Sequence, residues 1–206
     1  ALRLLAPGAA LPVVFSIPSG AGLPWGPLHE SPLEMLLGEA GLTLFAPAGP
    51  SEAHAAIGAA LRHEAPAVVL HSPLLADKTE EIAPPEQLLP IGSADLVQPG
   101  ADLTVICWSH NVAVAKEAAV RLLGIGVSAE VLNIRTLHPL DMPAVVRSIG
   151  KTHRAVILQD APAHGGFGAA LAHRIQSAVF DELDAPIDVL SRQDEGMRVG
   201  RVCNEF

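Results

Sequence analysis

Short apolar runs alternate with windows of helical periodicity along nearly the whole chain. Residues 12–17 (PVVFSI), 42–46 (LTLFA) and 67–71 (AVVLH) are apolar without a polar alternate face, as strands buried on both sides are. Between the last two, residues 51–63 (SEAHAAIGAALRH) put Ala55, Ala56, Ala59 and Ala60 on one face. Those small side chains let a helix pack closely on a sheet, and Ser51 is expected to cap it. Residues 33–37 suggest a further helix. The second half keeps the same rhythm. A strand at 103–108 (LTVICW) leads to a helix from about 112 to 123, ended by Gly124 and Gly126. A strand at 130–134 (EVLNI) precedes a helix at 142–149, with Asp141 as its cap and Pro143 in its first turn. A strand at 155–158 (AVIL), a helix at 169–183 and a last strand at 187–190 complete the pattern. Strands and helices that alternate in this way predict an α/β fold with a mostly parallel sheet covered on both faces.

The middle breaks the rhythm. Residues 71–100 gather prolines and the one dense acidic stretch, with little periodicity apart from a short strand expected near Leu96. This is the composition of a connection, and the boundary is placed near Pro90. The expected organisation is therefore a first unit with its linker at residues 1–89, followed by a second α/β unit at 90–206.

Composition narrows the partners. With 50% apolar and 17% charged residues the chain is no disordered protein. A net charge of −9 argues against electrostatic attachment to nucleic acid or an anionic membrane. Proline and glycine interrupt every long apolar run, so no membrane-spanning helix is expected. The opening ALRLLAPGAALPVVF is apolar, but Pro7, Gly8 and Pro12 break it as a signal peptide. A chain that starts with Ala1 rather than Met is expected to be processed or a fragment. Cys107 and Cys203 are too few and too far apart for a disulfide framework, which points to a reducing cytoplasm.

Nine histidines invite a metal site, yet there is no HExxH and no cysteine–histidine cluster with zinc spacing. Ordinary surface or cap roles are expected of His110, His138, His153 and His173. The run Gly165-Gly166-Phe167-Gly168 lies between a strand and a helix, as a tight turn needing small residues or as an anion-binding loop. There is no G-x-S-x-G elbow and no cysteine–histidine pair. His29 stands apart. It lies in a glycine- and proline-rich loop at 18–34 that leaves the first strand, where open parallel sheets bind their ligands.

Taken together, PVVFSIPSGAG with HESPLE, AGLTLFAPAGPSEAHAAIGAAL, PAVVLHSPLL, GADLTVICWSHNVAVAKEAA, VLNIRTLHPLD, SIGKTHRAVILQDAP, GGFGAALAHRI and LDAPI are collinear. In this order and spacing, from Leu11 to Asp194, the chain resembles the beta subunit of the thiamine-diphosphate-dependent decarboxylase component of 2-oxo acid dehydrogenases, an oxidoreductase in the transketolase-like superfamily. The resemblance implies that residues 1–89 are the C-terminal part of a pyrimidine-binding domain, a partial doubly wound parallel sheet plus linker, followed at 90–206 by a smaller α/β transketolase C-terminal domain. It also implies an alpha–beta heterotetramer with a second beta subunit, thiamine diphosphate and Mg²⁺ at the interface with the alpha subunit, and a lipoyl acyltransferase core as partner. The implied setting is the cytoplasm, or the mitochondrial matrix in a eukaryote. His29 matches the family's active-site histidine, which steers the substrate carboxylate or the accepting lipoyl group. A potassium ion held by backbone carbonyls would fall on Val13, Ala60, Leu61, His63 and Ala65.

Departures from the family pattern leave other readings open. The family's upstream glutamate, which protonates the aminopyrimidine ring, has no match in the chain. His29 is followed by Glu-Ser rather than Ser-Gln, and the tail after Asp194 diverges. A chain without that glutamate is expected not to complete ylide formation by itself. The alternatives are a transketolase or deoxyxylulose-phosphate-synthase relative, or a non-catalytic assembly module. The His29 to Glu34 spacing favours the beta subunit over the transketolases.

Overall fold

The computed structural model describes residues 12–20, 41–82, 84, 86–162 and 166–192. The suggested helix at 33–37 and Cys203 lie outside them. In chain order the elements are β1 (Val14–Pro18), β2 (Thr43–Phe45), α1 (Pro50–Arg62), β3 (Ala67–His71), β4 (Asp95–Gln98), β5 (Leu103–Cys107) and α2 (Asn111–Leu123). Then come β6 (Ala129–Asn133), β7 (Thr136–His138), α3 (Met142–Thr152), β8 (Ala155–Pro162), α4 (Phe167–Val179) and β9 (Asp188–Arg192). The α/β class expected from the strand–helix alternation is what the chain adopts.

Two sheets form, in the orders β1-β3-β2-β7 and β4-β6-β5-β8-β9. Pairing is parallel except where β7 meets β2 and β4 meets β6. The pairing of β7 was not foreseen: three residues from the second half of the chain run antiparallel to β2 of the first, with Leu44 opposite His138. The apolar runs of β2, β3 and β5 are buried nearly throughout, as their lack of a polar face predicts.

The largest core is shared by both halves. Leu44, Val68 and Leu70 from the first sheet join Ile106, Leu132 and Ile157 from the second and Ile134 just after β6, beneath Val145, Ile149, Leu171 and Ile175 of α3 and α4. Each of these fully buried side chains contributes roughly 1.5–3 kcal/mol. A second cluster packs the alanine face of α1 on Phe45 and Val69, and a third packs α2 on Val105 and Val131.

Helix ends differ from expectation in two places. Ser51 does not cap α1: Gly49 is the cap residue and Pro50 opens the helix. A proline at the first helical position has its φ preset and no N–H to satisfy, so the helix starts before Ser51, whose N–H donates to Glu80 Oε2 (3.1 Å). Helix α4 runs from Phe167, earlier than expected, and tightens into a 3₁₀ turn at Phe180–Glu182. That turn is held by His153, whose Nδ1 bonds the Glu182 carbonyl (2.8 Å) and whose own carbonyl accepts the Asp184 N–H (2.9 Å). Asp141 does cap α3, its Oδ1 accepting the Ala144 N–H at 3.0 Å.

Candidate functional site

Parallel strands deliver their carboxyl ends to one side, and here those of both sheets meet. Ser19 and Gly20 after β1, Ala46 after β2, His71 and Ser72 at β3, Trp108 to Asn111 after β5, and Gln159 to Ala161 in β8 line a narrow cleft open to solvent. Phe167 at the start of α4 closes one side, its ring edge-on to Trp108 at 5.5 Å and 88°. The two halves are joined at this place by backbone. Ser109, at φ 55°, donates its N–H to the Ala46 carbonyl (3.2 Å), and the Ala46 N–H donates to the Arg135 carbonyl (2.8 Å).

The titratable pair of the cleft is His110 and Asp160, with Nε2 3.6 Å from Oδ2 and side chains only 14% and 10% exposed. Burial pushes the His110 imidazole below its usual range; Asp160 pulls it back up and the Lys78 charge pushes it further down. His110 stands at the cap position of α2, but its side chain makes no capping bond. Its Nδ1 is buried, with no hydrogen-bond partner among the described residues. His110 thus holds the cap position expected of it, but its side chain, 14% exposed, is turned into the cleft instead of capping the helix. An isolated histidine carries no sequence signal for this, because the partner carboxylate lies on a different strand. Gly20, at φ 101°, passes so near Asp160 that a Cβ would lie 3.0 Å from Oδ2.

Of the glycine run, Gly166 caps α4 and Gly168 donates its N–H to Gln159 Oε1 (2.7 Å). A Cβ on Gly168 would come within 2.6 Å of that oxygen, so the need for a small residue here is packing against Gln159.

Two recognisable stretches turn out to be scaffold. In RTLHPLD, the guanidinium of Arg135 donates to the Ser93 and Ala94 carbonyls (both 3.1 Å). Thr136 Oγ1 accepts the Gly92 N–H at 3.1 Å, and Asp141 Oδ2 accepts the Ala94 N–H at 2.9 Å. The stretch thereby pins the connection to both sheets. In KTHR, Lys151 Nζ donates to the buried Glu130, and Thr152 Oγ1 meets Thr104 Oγ1 at 2.7 Å. Cys107 is buried, and burial, with Glu52 adding to it, pushes its thiol up to about 12, which removes it as a nucleophile near neutral pH.

His29 lies outside the described residues; β1, which precedes it in the chain, ends at the cleft. Of the five carbonyl positions, Ala60 and Leu61 lie in the last turn of α1, His63 at its cap, Ala65 before β3 and Val13 before β1. Val13 is fixed there because its carbonyl accepts the Ala67 N–H (2.9 Å), and Ala60 because its carbonyl accepts the His63 N–H (3.2 Å). Each carbonyl keeps a second lone pair, and the carboxyl end of a helix favours a cation. Among the described residues no group of three or more His, Cys, Asp or Glu could hold a metal ion. No lysine or arginine lines the cleft either. The described residues therefore do not fit a magnesium–diphosphate group.

The family model for the transketolase C-terminal domain matches residues 92–202. A pyruvate dehydrogenase E1 component subunit beta from Porphyra purpurea is 36% identical over 185 residues, 89% of this chain and 56% of the relative. The chloroplastic subunit beta-4 from Oryza sativa subsp. japonica is also 36% identical, over 89% of this chain and 46% of its own length. The chain spans about half the length of the curated relatives it matches. A solved structure described as a split gene transketolase, inactive beta4 tetramer, superposes with a TM-score of 0.71 at 22% identity, covering 94% of this chain and 61% of that one. That likeness is one of fold.

Proposed function

The chain belongs to the transketolase C-terminal-domain family, and from that premise we propose that it is a portion of the beta subunit of a 2-oxo acid dehydrogenase decarboxylase component. The observation that carries this reading is collinear identity of 36% with pyruvate dehydrogenase beta subunits through 89% of the chain, across both sheets. In this reading the chain works with an alpha subunit, beside a second beta subunit, and passes its acyl product to a lipoyl acyltransferase core. The reaction is oxidative decarboxylation of a 2-oxo acid with acyl transfer to lipoyl. Thiamine diphosphate with Mg²⁺ supplies the carbanion-stabilising chemistry at the interface with the alpha subunit. Since the described residues build no diphosphate cradle, that part of the site falls to the alpha subunit and to beta-subunit segments outside them.

The role proposed for the chain itself is to carry His29 and to fix Ser19 and Gly20, which precede it in the chain, against the second half. His29 steers the substrate carboxylate or the lipoyl group. Val13, Ala60, Leu61, His63 and Ala65 are the proposed carbonyl ligands of a potassium ion that tightens the far end of the same sheet. The boundary near Pro90, a reducing cytoplasmic setting and the absence of nucleic-acid or membrane partners belong to the same reading. No helix among the described residues is long and apolar enough to cross a membrane.

The test is reconstitution with an alpha subunit and assay of acyl transfer to lipoyl. His29→Ala is expected to lower turnover by about 10²-fold or more, with circular dichroism and complex formation unchanged. Turnover equal to the unsubstituted complex would remove His29 from the mechanism. A stable complex with no turnover in either form would support the assembly-module reading instead.

A further inference from the structure

The connection after β3 is tied to the start of α1 by a carboxylate. Glu80 Oε2 accepts the Ser51 N–H at 3.1 Å, in the first turn, where a helix presents its positive end. Gly49, at the cap position, is fitted to that carboxylate. Its φ of −169° is extended backbone open to any residue, yet a Cβ there would lie 2.5 and 2.8 Å from the two oxygens of Glu80. The glycine thus makes room for Glu80 rather than for a turn. Glu80 itself is exposed, so its hold on the helix is slight and screened by salt.

The same segment carries Lys78. It leaves the cleft rim at His71 and Ser72 and turns at Pro73–Leu75, where Ser72 Oγ accepts the Leu74 N–H (3.3 Å). The Lys78 N–H then donates to the Leu75 carbonyl (3.1 Å). From this place the Lys78 charge acts on His110 inside the cleft, whose described lining holds no lysine or arginine. We propose that residues 76–82 are a latched strap: Glu80, seated on Gly49 and the first turn of α1, keeps Lys78 beside the cleft, and release of that carboxylate lets the lysine leave. Latched, the strap sets a positive charge at the edge of the cleft; released, it takes that charge away. An exposed carboxylate at a helix N-terminus shifts such a balance by about two- to five-fold, so ionic strength can tip it. The device stands apart from the decarboxylase reading and needs no alpha subunit.

The experiment has two arms on the 206-residue chain. Gly49→Ala displaces the Glu80 carboxylate by contact and alters no charge, whereas Glu80→Gln removes the charge and keeps the shape. In both variants trypsin cleavage of the bond between Lys78 and Thr79, followed by mass spectrometry and referred to cleavage at Arg174 within α4, is expected to quicken about two- to five-fold. The second arm is the pH titration of ¹⁵N-labelled His110, assigned by His110→Phe or His110→Asn. Lys78→Gln is expected to raise its midpoint. Gly49→Ala is expected to raise it too, and to add nothing in the Lys78→Gln background. Direct loss of an anion would lower the midpoint, so a rise with Glu80→Gln also reports the departure of Lys78. Unchanged cleavage ratios overturn the proposal, as does a His110 midpoint that either Lys78→Gln or Gly49→Ala leaves in place. Should Gly49→Ala fail to fold, Glu80→Gln decides both arms. Neither result touches the decarboxylase reading, whose test is acyl transfer in the reconstituted complex.

Discussion

Two glutamates are withdrawn from water, one beneath α3 and one at the junction of the two sheets, and the molecule satisfies them by different means. Glu130, 2% exposed on β6, accepts from Lys151 Nζ, Ser148 Oγ (2.6 Å) and the Gly100 N–H (3.2 Å). Burial would raise its carboxyl, but these bonds outweigh it and hold the group below the usual carboxylate range. Glu52, in the first turn of α1, reaches from the first half to Asn133 Nδ2 of the second (3.0 Å) and accepts the Ala48 N–H (2.8 Å). Burial pushes its carboxyl up, and Asp95 adds to that. The two hydrogen bonds and the more distant Arg135 charge offset only part. The second half thus keeps its buried charge paired within itself, whereas the junction holds a half-buried acid on neutral donors. A buried ion pair with satisfied lone pairs is costly to break from one side, and a carboxylate without a direct cation is costly to keep ionised.

The largest effect follows from the paired region. Glu130→Ala removes the acceptor of the Gly100 N–H, leaves the Ser148 hydroxyl with Thr104 Oγ1 alone (2.7 Å) and opens a void under α3, and is expected to cost about 3 kcal/mol. Lys151 is 47% exposed and can turn to water, so its loss costs less than that of Glu130. Urea denaturation of both variants measures the asymmetry. Equal losses would show that the pair, rather than the buried acceptor, carries the stability. Gly100 sets a further limit there, because a Cβ on it would lie 2.2 Å from the Ala129 carbonyl carbon.

The next effect lies at the junction. Arg135, at φ 49°, bonds two carbonyls of the connection with its guanidinium and the Ala46 N–H with its own carbonyl. Arg135→Ala removes the first two bonds and keeps the third, and is expected to cost about 2 kcal/mol. Because the lost bonds fasten Ser93 and Ala94, limited proteolysis within residues 76–94 is expected to quicken more than cleavage elsewhere. Uniform protection would mean that Thr136 and Asp141 hold the connection without Arg135.

Legibility in the sequence follows the same division. Strands such as AVVLH and LTVIC are continuous apolar runs flanked by helical windows, and the structure places them where the pattern did. The strand β7 could not be read, since three residues carry no period and their pairing is decided by Leu44 and Phe45 far away in the chain. Asp141 before Pro143 announced a helix start, but Ser51 misled because Pro50 opened the helix first. Of the cleft, only its position at strand ends was foreseeable. The His110–Asp160 pair arises from the parallel neighbours β5 and β8, and register between strands is a tertiary property. RTLHPLD and KTHR could be recognised as motifs, but their work as fasteners shows only once Ser93, Ala94 and Glu130 are in place.

The smallest effect is a pH dependence that separates the two acids. A carboxyl whose folded pKa is raised binds more protons folded than unfolded, so Glu52 makes stability rise as pH falls from neutral through its raised folded value toward its ordinary one. A lowered folded pKa does the reverse: the contribution of Glu130 is complete above the ordinary carboxylate value and is lost as pH falls below it. His110, held below its usual range, also costs stability as pH falls past that range, opposing Glu52 in part of the same interval. The difference between the parent chain and Glu52→Gln isolates the first of these contributions. The amide keeps an acceptor for Ala48 or Asn133 and carries no charge to desolvate, so the variant is expected to gain up to about 1 kcal/mol near neutral pH. That gain should shrink as the medium approaches the ordinary glutamate value, where the parent acid is itself protonated in the fold. Urea midpoints taken at half-unit steps of pH measure it. A gain that stays constant with pH would locate the effect in the hydrogen bonds to Ala48 and Asn133 rather than in the buried charge.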